Sequence, residues 1–323
     1  MTHVSHTLPR RPLGRTGFQV TPICIGCAPL GNMPETFAYS VAEEQAIATL
    51  TEAFRSPINF LDTAAAYGDG ESERRIGIVL RNLGGLPPGF VLATKADRNL
   101  TTGDFSGDQI RRSVERSLTL LGLDRLQFVY IHDPEHTTFE NVMGKGGPLE
   151  VLQRVQAEGV IEHIGISGGP IPMLIRYVET GAFMAVETHN RYMLLNRSAE
   201  PLLEVAARRG VAVVNAAPYG SGILAKGPDA YARYVYQDAP PALVERTRAL
   251  AAICQEYGVP LAAAALQFSL RDPRITSTVV GVSKPERITA TLELAHVPIP
   301  DELWQRLDAV GFDMNDPEEH RFA

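Results

Sequence analysis

Four residues have side chains that can transfer a proton: Asp62, Tyr67, Lys95 and His132. Each lies at or just past the end of a short apolar run that has the length of a strand. In a parallel barrel, the C-terminal ends of the strands open onto the face where active sites are built. A carboxyl, a phenol, an amine and an imidazole gathered there can exchange a proton with a bound molecule. The pattern therefore predicts an enzyme.

The residue types suit the interconversion of an alcohol and a carbonyl, which moves a hydride at carbon and a proton at oxygen. Tyrosine alone, with a pKa of about 10, is an inefficient base near pH 7. A lysine ammonium against the phenol would favour phenolate and lower that pKa, and a nearby carboxylate would keep the ammonium charged. Tyr67, Lys95 and Asp62 match these roles, and His132 would orient the substrate oxygen or share in the proton relay. The hydride requires a cofactor, because no side chain supplies one.

Each residue also has a purely structural interpretation. Asp62 could cap the turn that follows it, Tyr67 could be an ordinary loop aromatic, Lys95 a surface lysine at a strand end and His132 a hydrogen-bonded core histidine. Taken singly, these interpretations are as good as the functional one. The placement of all four at the same face of three consecutive strands favours the functional interpretation.

The elements that must position these residues alternate along the chain. Strand-like segments occur at 23–27, 58–62, 90–95, 126–132, 161–166, 184–188, 211–216 and 276–281. Helical patterns occur at 42–55, 71–81, 106–121, 148–158, 171–180, 198–209, 242–257 and 286–295. Eight strand–helix repeats predict an α/β fold of the (β/α)8 TIM-barrel type. A doubly wound sheet is the rival, but no GxGxxG turn follows the first strand.

Three segments lie outside this repeat. Residues 11–20 alternate around GlyArgThrGly, which predicts a short N-terminal hairpin. Residues 217–241 form a long predicted loop after the seventh strand, and 259–272 add an apolar helix near the C-terminus. We expect a single barrel domain over 1–323, with residues 1–10 as a flexible arm.

Composition narrows the class of protein. The chain has 323 residues, is 45% hydrophobic and has a net charge of -7, without a Lys/Arg run that would follow a nucleic acid backbone. Because no window approaches about 18 apolar residues and the N-terminus lacks an apolar signal core, we expect neither a membrane span nor secretion but a cytoplasmic protein. Cys24 and Cys27 have CxxC spacing, yet no second pair completes a zinc site, and buried structural thiols are favoured.

The chain resembles the aldo-keto reductase superfamily along nearly its whole length. The resembling stretches are 13–20, 60–68, 92–95, 130–133, 159–167 and 280–288. The resemblance implies that Tyr67 is the general acid/base, that Lys95 and Asp62 tune it, and that His132 orients the substrate. It also implies a nicotinamide cofactor bound extended across the barrel mouth, which accounts for the missing GxGxxG turn.

The resemblance extends to cofactor contacts. Ser167 matches the serine beside the nicotinamide carboxamide, but Gly168 follows where relatives have asparagine. His189 or Asn190 stands near the usual glutamine, and stacking by Tyr219 is conceivable. The loop after the seventh strand would fold over the pyrophosphate, with a flexible surface loop as the alternative. The implied backbone contacts there are Gly220, Ser221, Gly222 and Leu224.

The last segment bears on the choice between NAD and NADP. In NADP-preferring relatives a lysine and an arginine hold the 2′-phosphate. Arg287 keeps the arginine position near Ser283, whereas Gly281 replaces the lysine and Lys284 is displaced. A 2′-phosphate is held best by more than one cation. Either cofactor is therefore expected, with NAD slightly favoured.

Within the superfamily, the chain is most similar to the aldose 1-dehydrogenases (L-fucose or D-threo-aldose dehydrogenases) and pyridoxal 4-dehydrogenase. The shared markers are at 132–135, 189–192 and 215–218. This similarity implies oxidation of an aldose hemiacetal to a lactone, with a general aldehyde/ketone reductase or a pyridoxal 4-dehydrogenase as alternatives. The expected partner is a small carbonyl or sugar substrate.

Two rivals come from other classes. A regulatory subunit would bind cofactor and turn over slowly, as potassium-channel β subunits do, but the four residues are intact here. A metal hydrolase could use the His-rich segment 132–136, but Pro134 breaks the helix that would align its histidines. No metal is therefore expected.

Overall fold

The structure, a computed structural model, describes residues 8–319, and its centre is a closed barrel of parallel strands. A hairpin of β1 (Arg11–Pro12) and β2 (Gln19–Val20) precedes it. The barrel strands are β3 (Ile23–Gly26), β4 (Phe60–Asp62), β5 (Val91–Ala96), β6 (Leu126–His132), β7 (Ile161–Gly168), β8 (Ala185–His189), β9 (Ala212–Ala216) and β12 (Ile275–Gly281). They pair in chain order, and β12 closes the barrel between β9 and β3. The predicted (β/α)8 barrel and its N-terminal hairpin are confirmed.

Helices surround this barrel and cover its outer face. They are α1 (Pro34–Phe37), α2 (Glu43–Arg55), α3 (Glu71–Leu83), α4 (Gly107–Leu121), α5 (Phe139–Met143), α6 (Pro148–Ala157), α7 (Ile171–Glu179), α8 (Glu200–Arg209), α9 (Ile223–Lys226), α10 (Pro241–Glu256), α11 (Leu261–Leu270), α12 (Glu286–Ala295) and α13 (Asp301–Ala309). The predicted additional helix before the last strand is α11. All eight predicted repeat helices are present, with bounds within two residues.

Two apolar clusters divide the strand residues by face. The larger cluster joins outward strand side chains to the helices, whereas the smaller fills the barrel with side chains such as Phe60, Ala93, Tyr130 and Ala185. Because side chains alternate along a strand, the inner face continues from these residues, two positions further on, into the polar ones at the strand ends. Leu13 of the N-terminal hairpin belongs to the interior cluster, so the hairpin closes the opposite end of the barrel.

The segment 217–241 differs from the predicted long loop. It forms a short 3-10 turn at Gly220–Gly222, the helix α9, and a small hairpin of β10 (Arg233–Tyr234) and β11 (Gln237–Asp238). The sequence did not reveal the hairpin, because its turn uses Val235 and Tyr236 at φ 50° and 64° instead of the usual Asn-Gly. The prediction of an irregular loop is therefore wrong.

Three further expectations concern the cysteines, the N-terminus and membranes. Cys24 and Cys27 are free and buried, as predicted. Burial is the main cause that raises the pKa of both thiols. Of the arm expected at 1–10, residues 1–7 lie outside the described part, and Leu8 packs against the core. Between residues 8 and 319, no single helix has the length and apolar character of a membrane span; α10 and α11 pass that test only as a pair bent by 98°.

Candidate active site

Lys95 lies at the centre of the site, on the inner face of β5 and with no exposed surface. Its Nζ donates to Oδ1 of Asp62, to the carbonyl of Thr63 at 3.1 Å and to Oη of Tyr67 at 3.3 Å. Burial lowers the pKa of Lys95, but the Asp62 and Glu187 carboxylates outweigh that effect and hold the pKa well above its usual value. The ammonium therefore remains charged, and the structure brings Asp62, Lys95 and Tyr67 together.

Tyr67 is held by the loop that follows β4. Gly68 has φ 61°, and a Cβ there would lie 1.9 Å from the carbonyl oxygen of Gly31, so only glycine allows this close approach of two loops. Burial raises the pKa of Tyr67 well above its usual value, Lys95 opposes the rise, and Asp62 and Glu187 add to it. Lys95 thus lowers the pKa of the phenol, as expected, although burial has the larger effect.

Glu187 is a member of the site that the sequence did not single out. It lies on the inner face of β8, is 4% exposed, and places Oε1 3.4 Å from Nζ of Lys95. Burial and the neighbouring Asp62 raise the pKa of Glu187 to about 8, against the attraction of Lys95. The strand alternation could have identified it, since Glu187 shares the face of Ala185 in a strand predicted correctly.

His132 completes the four predicted residues at the end of β6. Its ring lies 5.9 Å from that of Tyr67, and Nδ1 contacts Oδ1 of Asp97 at 2.6 Å. On the other side, Nε2 is 3.5 Å from Oδ1 of Asp133. Burial lowers the pKa of His132, but Asp133 and Asp97 outweigh it and raise the pKa to about 9. The imidazolium can therefore donate a hydrogen bond near neutral pH.

Asp97, which no sequence pattern indicated, contacts both His132 and the segment that carries Tyr67. While Oδ1 contacts His132, Oδ2 accepts a hydrogen bond from the backbone of Ala66 at 2.8 Å, next to Tyr67. Asp97 is 4% exposed. It thus fixes both the imidazole and the segment that presents the phenol.

The predicted nicotinamide contacts at the end of β7 lie beside this group. Ser167 is buried and pairs in register with His132 on one side and Glu187 on the other. A Cβ on Gly168 would lie 2.7 Å from Oε2 of Glu135, and the Gly169 amide donates to Oε1 of Glu135 at 2.9 Å. The Glu135 side chain therefore occupies the space beside Gly168 and Gly169.

His189 and Asn190, at the end of β8, have different surroundings. Nε2 of His189 lies 3.1 Å from Oε2 of Glu318, a C-terminal residue that also accepts from buried Arg191 at 2.8 Å. Asn190 has φ 60° and no exposed surface, and both of its amide atoms lack hydrogen-bond partners among residues 8–319. A buried amide without partners is costly, so Asn190 is the better candidate for a ligand contact.

The predicted pyrophosphate segment forms compact structure after β9. Leu224 is fully buried, and Ser221 has φ 62° with its Oγ accepting from the Tyr236 amide at 2.9 Å. A Cβ on Gly220 or Gly222 would lie 3.1 Å from its nearest neighbour. Tyr219 is partly buried, and its Oη has no hydrogen-bond partner within the described chain.

Cations lie near this segment, on the surface of the barrel mouth. Arg287 and Lys284 are exposed, Gly281 is exposed beside Pro29, and the Ser283 carbonyl accepts from Gln45 at 2.6 Å. Lys226 is a further cation, which no sequence pattern indicated. Its Nζ lies 3.8 Å from the centre of the Tyr231 ring. Burial lowers the pKa of Lys226, and Arg287 lowers it further. Arg287 therefore has a second cation close by.

The residues present fit a nicotinamide dinucleotide. Unpartnered amide atoms of Asn190 are complementary to a carboxamide, and the cations at Lys226 and Arg287 suit phosphate. The His-rich segment 132–136 gives no metal centre: within 8–319, no three His, Cys, Asp or Glu side chains are grouped to hold an ion.

Comparison with known proteins identifies relatives of the whole chain. The model of the aldo/keto reductase family matches residues 22–311. Pyridoxal 4-dehydrogenase of Microbacterium luteolum is 32% identical over 94% of this chain and 97% of its own. D-threo-aldose 1-dehydrogenase of a Pseudomonas species is 33% identical, covering 90% and 94%, and L-galactose dehydrogenase of Arabidopsis thaliana is 32% identical, covering 93% of each.

A solved structure shares the fold. An aldo-keto reductase from Bacillus halodurans, in its holo form, superposes with a TM-score of 0.77 over 97% of this chain and 99% of its own. Its sequence is 24% identical, so this likeness supports the barrel architecture alone.

Proposed function

Because the chain belongs to the aldo/keto reductase family and is an NAD(P)-dependent oxidoreductase, we propose that it is an aldose 1-dehydrogenase. In this reaction a cyclic hemiacetal is oxidised at its anomeric carbon to a lactone. The observation that supports the site best is the buried Lys95, which contacts both Asp62 and the phenol of Tyr67. The sugar specificity is supported by relatives named for D-threo-aldose and L-galactose.

The bound nicotinamide would supply the hydride acceptor. Tyr67 would take the proton of the anomeric hydroxyl, since its Oη faces the ammonium of Lys95 at 3.3 Å. Lys95 stabilises the phenolate form of Tyr67 that accepts this proton, and Asp62 keeps Lys95 charged and in place. His132, protonated near neutral pH, would donate from Nε2 to the same substrate oxygen and fix its orientation.

For the cofactor, Ser167 and Asn190 would hold the carboxamide, and the segment around Gly220 and Gly222 would lie along the pyrophosphate. Arg287 would contact the adenosine end. NAD remains the preferred cofactor in this proposal, because Gly281 provides no cation and Lys284 is displaced from the position of the matching lysine. Since Lys226 adds a second cation near Arg287, NADP is accepted as well.

Pyridoxal is the second candidate substrate. A pyridoxal 4-dehydrogenase is 32% identical over 94% of this chain, and pyridoxal also forms a cyclic hemiacetal that the same proton transfer would oxidise. A general aldehyde reductase would use the same groups with Tyr67 as the acid.

The test is absorbance of the reduced nicotinamide, with NAD and NADP supplied separately. The panel contains L-fucose, D-arabinose, L-galactose, pyridoxal and simple aldehydes, and Tyr67→Phe is the control protein. Oxidation of one sugar that the control cannot perform supports the proposal. Oxidation of pyridoxal alone selects the second candidate, and reduction of simple aldehydes alone makes the protein a general reductase. Turnover that Tyr67→Phe leaves unchanged would contradict the assigned base.

A further inference from the structure

Glu187 is a buried carboxyl that the proposed proton transfer does not use. It enters the barrel from β8, opposite Asp62 and Lys95, and its side chain is 5% exposed. Its Oε1 lies 3.4 Å from Nζ of Lys95. The ammonium already has three acceptors, in Asp62, Thr63 and Tyr67. Glu187 is therefore an additional acid next to an ammonium whose three hydrogens already have acceptors.

Two carboxyl oxygens at this point lack partners. Within the described residues, neither Oδ2 of Asp62 nor Oε2 of Glu187 makes a standard hydrogen bond, and both atoms are buried. Asp62 and Glu187 both reach Nζ of Lys95, Glu187 at 3.4 Å, so the two carboxyl groups lie side by side and can share a proton when one of them is protonated. A proton on Glu187 would give both carboxyl groups a partner, whereas two ionised carboxylates would leave both without one.

The local charge favours the same arrangement. With Glu187 protonated, the ammonium and the Asp62 carboxylate balance each other. With Glu187 ionised, the buried group has a net negative charge before Tyr67 releases its own proton. A like charge nearby disfavours a second ionisation, and burial strengthens that effect because the effective dielectric constant is low. Ionised Glu187 would therefore oppose formation of the Tyr67 phenolate.

We propose that Glu187 is a positioning residue that retains a proton in the resting site and donates a hydrogen bond to Asp62. Lys95 then has one negative neighbour, and Tyr67 can ionise during turnover. The inference rests on the proposed function for its effect on catalysis, but the protonation of Glu187 can be measured without any substrate.

Titratable groups face Glu187 from several strands. They are Cys24 of β3, Asp62 and Tyr67 from β4 and its loop, Lys95 of β5, and Tyr130 and His132 of β6. Burial is the largest influence on Glu187, and Asp62 comes next, which together raise its pKa to about 8. Lys95 and His132 act in the opposite direction. The proton is therefore expected to leave Glu187 only in mildly alkaline solution.

The first measurement is infrared spectroscopy of the full chain in D2O between pH 6 and 10. The wild-type protein minus Glu187→Gln should show the carbonyl stretch of a protonated carboxyl at pH 6.5, and this band should disappear as the pH rises through about 8. Glu73→Gln is the matched control. Glu73 is also a buried acid with a raised pKa, but it hydrogen-bonds to Thr94 instead of Lys95. The same analysis of Glu73→Gln must leave the Glu187 band in place.

The second measurement is the pH dependence of sugar oxidation. Glutamine can still donate to Asp62 but cannot ionise, so Glu187→Gln should keep its activity at pH 7 within about threefold. The rise of kcat with pH should move to lower pH, by roughly one unit. Glu187→Leu cannot donate and should lose about tenfold or more at every pH. Its melting temperature and its affinity for NAD show whether the variant is folded.

These results separate the two proposals. A carboxyl band at pH 6.5 that is missing in Glu187→Gln, together with the shifted profile, supports the role of Glu187. Absence of that band, or a Glu187→Gln variant as impaired as Glu187→Leu, overturns it. If the wild-type protein oxidises no sugar, the proposed function fails, while the infrared band still decides whether Glu187 holds the proton.

Discussion

The barrel mouth contains two regions built on different principles. In the strand-end region (Asp62, Lys95, His132, Ser167 and Glu187), each residue belongs to a barrel strand and is less than 10% exposed. In the loop region (residues 219–226 and 281–287), the charged groups lie on turns and at the ends of short or surface helices that follow the strands, and Lys284 and Arg287 are exposed. The first region is fixed by the strands, whereas the second depends on the shape of loops.

This difference separates the reaction from the choice of ligand. Buried charges interact strongly and need exact partners, so the strand-end region can set protonation states. Exposed cations are screened by solvent and salt, so the loop region adjusts affinity by smaller amounts. We therefore expect substitutions in the strand-end region to change turnover and those in the loop region to change binding.

The largest effect is expected from Lys95→Met. This change removes the cation that opposes the raised pKa of Tyr67, so less of the phenolate that accepts the proton is present near neutral pH. Turnover should fall about 10³-fold. The double variant Tyr67→Phe/Lys95→Met should be hardly worse than either single variant, because residues that act as a unit are not additive. Steady-state kinetics of the three proteins measure this.

Folding must be controlled here, because removing one partner of a buried ion pair costs about 3–5 kcal/mol. Thermal unfolding and NAD affinity of Lys95→Met serve as controls. Arg248→Ala, which removes an exposed pair with Asp229, should leave thermal unfolding nearly unchanged. Independent losses that multiply in the double variant would contradict the view of a single proton-transfer unit.

The second prediction concerns Asp97→Asn. The amide oxygen can keep the hydrogen bond from Ala66, while the amide NH2 group faces Nδ1 of His132 and favours a neutral ring. The pKa of His132 should therefore fall from about 9 toward its usual value. A ring that accepts at Nδ1 still donates from Nε2, but as a neutral and therefore weaker donor than the imidazolium. We therefore expect kcat/KM to drop about tenfold at pH 8 and less at pH 6.

The measurements are the pH profile of kcat/KM and an NMR titration of His132. Asp69→Asn is the control, because Asp69 is an exposed acid whose partner, Arg116, is also on the surface. An unchanged alkaline limb in Asp97→Asn would show that Asp97 only holds the loop at Ala66.

The sequence predicted that Asp62, Lys95 and His132 lie at strand ends, and there is a physical reason for this success. An apolar run that ends in Asp62, Lys95 or His132 is a local pattern, and the barrel places such ends at one face. Glu187 was missed because it lies within a strand-like run instead of at its end. Asp97 was missed because its role depends on two contacts made by other segments, which no local spacing indicates.

The loop region could not be predicted to the same depth. Lys226 approaches Arg287 only because 217–241 folds into a turn, a helix and a hairpin. Likewise, His189 meets Glu318 more than a hundred residues later in the chain. Such contacts depend on the path of the chain between helices and strands. The spacing of apolar residues predicts the helices and strands but not that path.

The third prediction tests the loop region. Arg287→Ala should raise the Kd for NADP about tenfold and the Kd for NAD about two- to threefold, because a 2′-phosphate loses its principal cation. Lys284→Ala should change either Kd less than about twofold, since Lys284 is displaced from the position of the matching lysine. Titration calorimetry at two salt concentrations measures both, and kcat should stay nearly constant. Equal effects of the two variants would contradict the assignment of Arg287.

The smallest effect on activity is expected from Glu73→Gln, which tests whether burial of an acid near the site is enough to affect the reaction. Glu73 is fully buried on α3 and accepts from Oγ of Thr94 at 2.6 Å, but it does not contact Lys95. Burial raises its pKa from 4.5 to about 7, although the hydrogen bond from Thr94 opposes the rise. Turnover and its pH profile should match those of the wild-type protein.

The free energy of unfolding should change instead. The direction of the change follows from whether Glu73 keeps its proton in the folded and in the unfolded protein. Above pH 4.5 the unfolded chain releases the Glu73 proton while the folded protein keeps it up to about pH 7, so folding is penalised increasingly across that interval. The full penalty is roughly 3 kcal/mol at most. Glutamine preserves the hydrogen bond without ionising, so urea unfolding should show Glu73→Gln more stable by about 1–3 kcal/mol at pH 8 and nearly unchanged at pH 5. If Glu73→Gln instead alters the pH profile of turnover, a buried charge on α3 influences Tyr67 without contacting it. The strand-end region would then have to include Glu73.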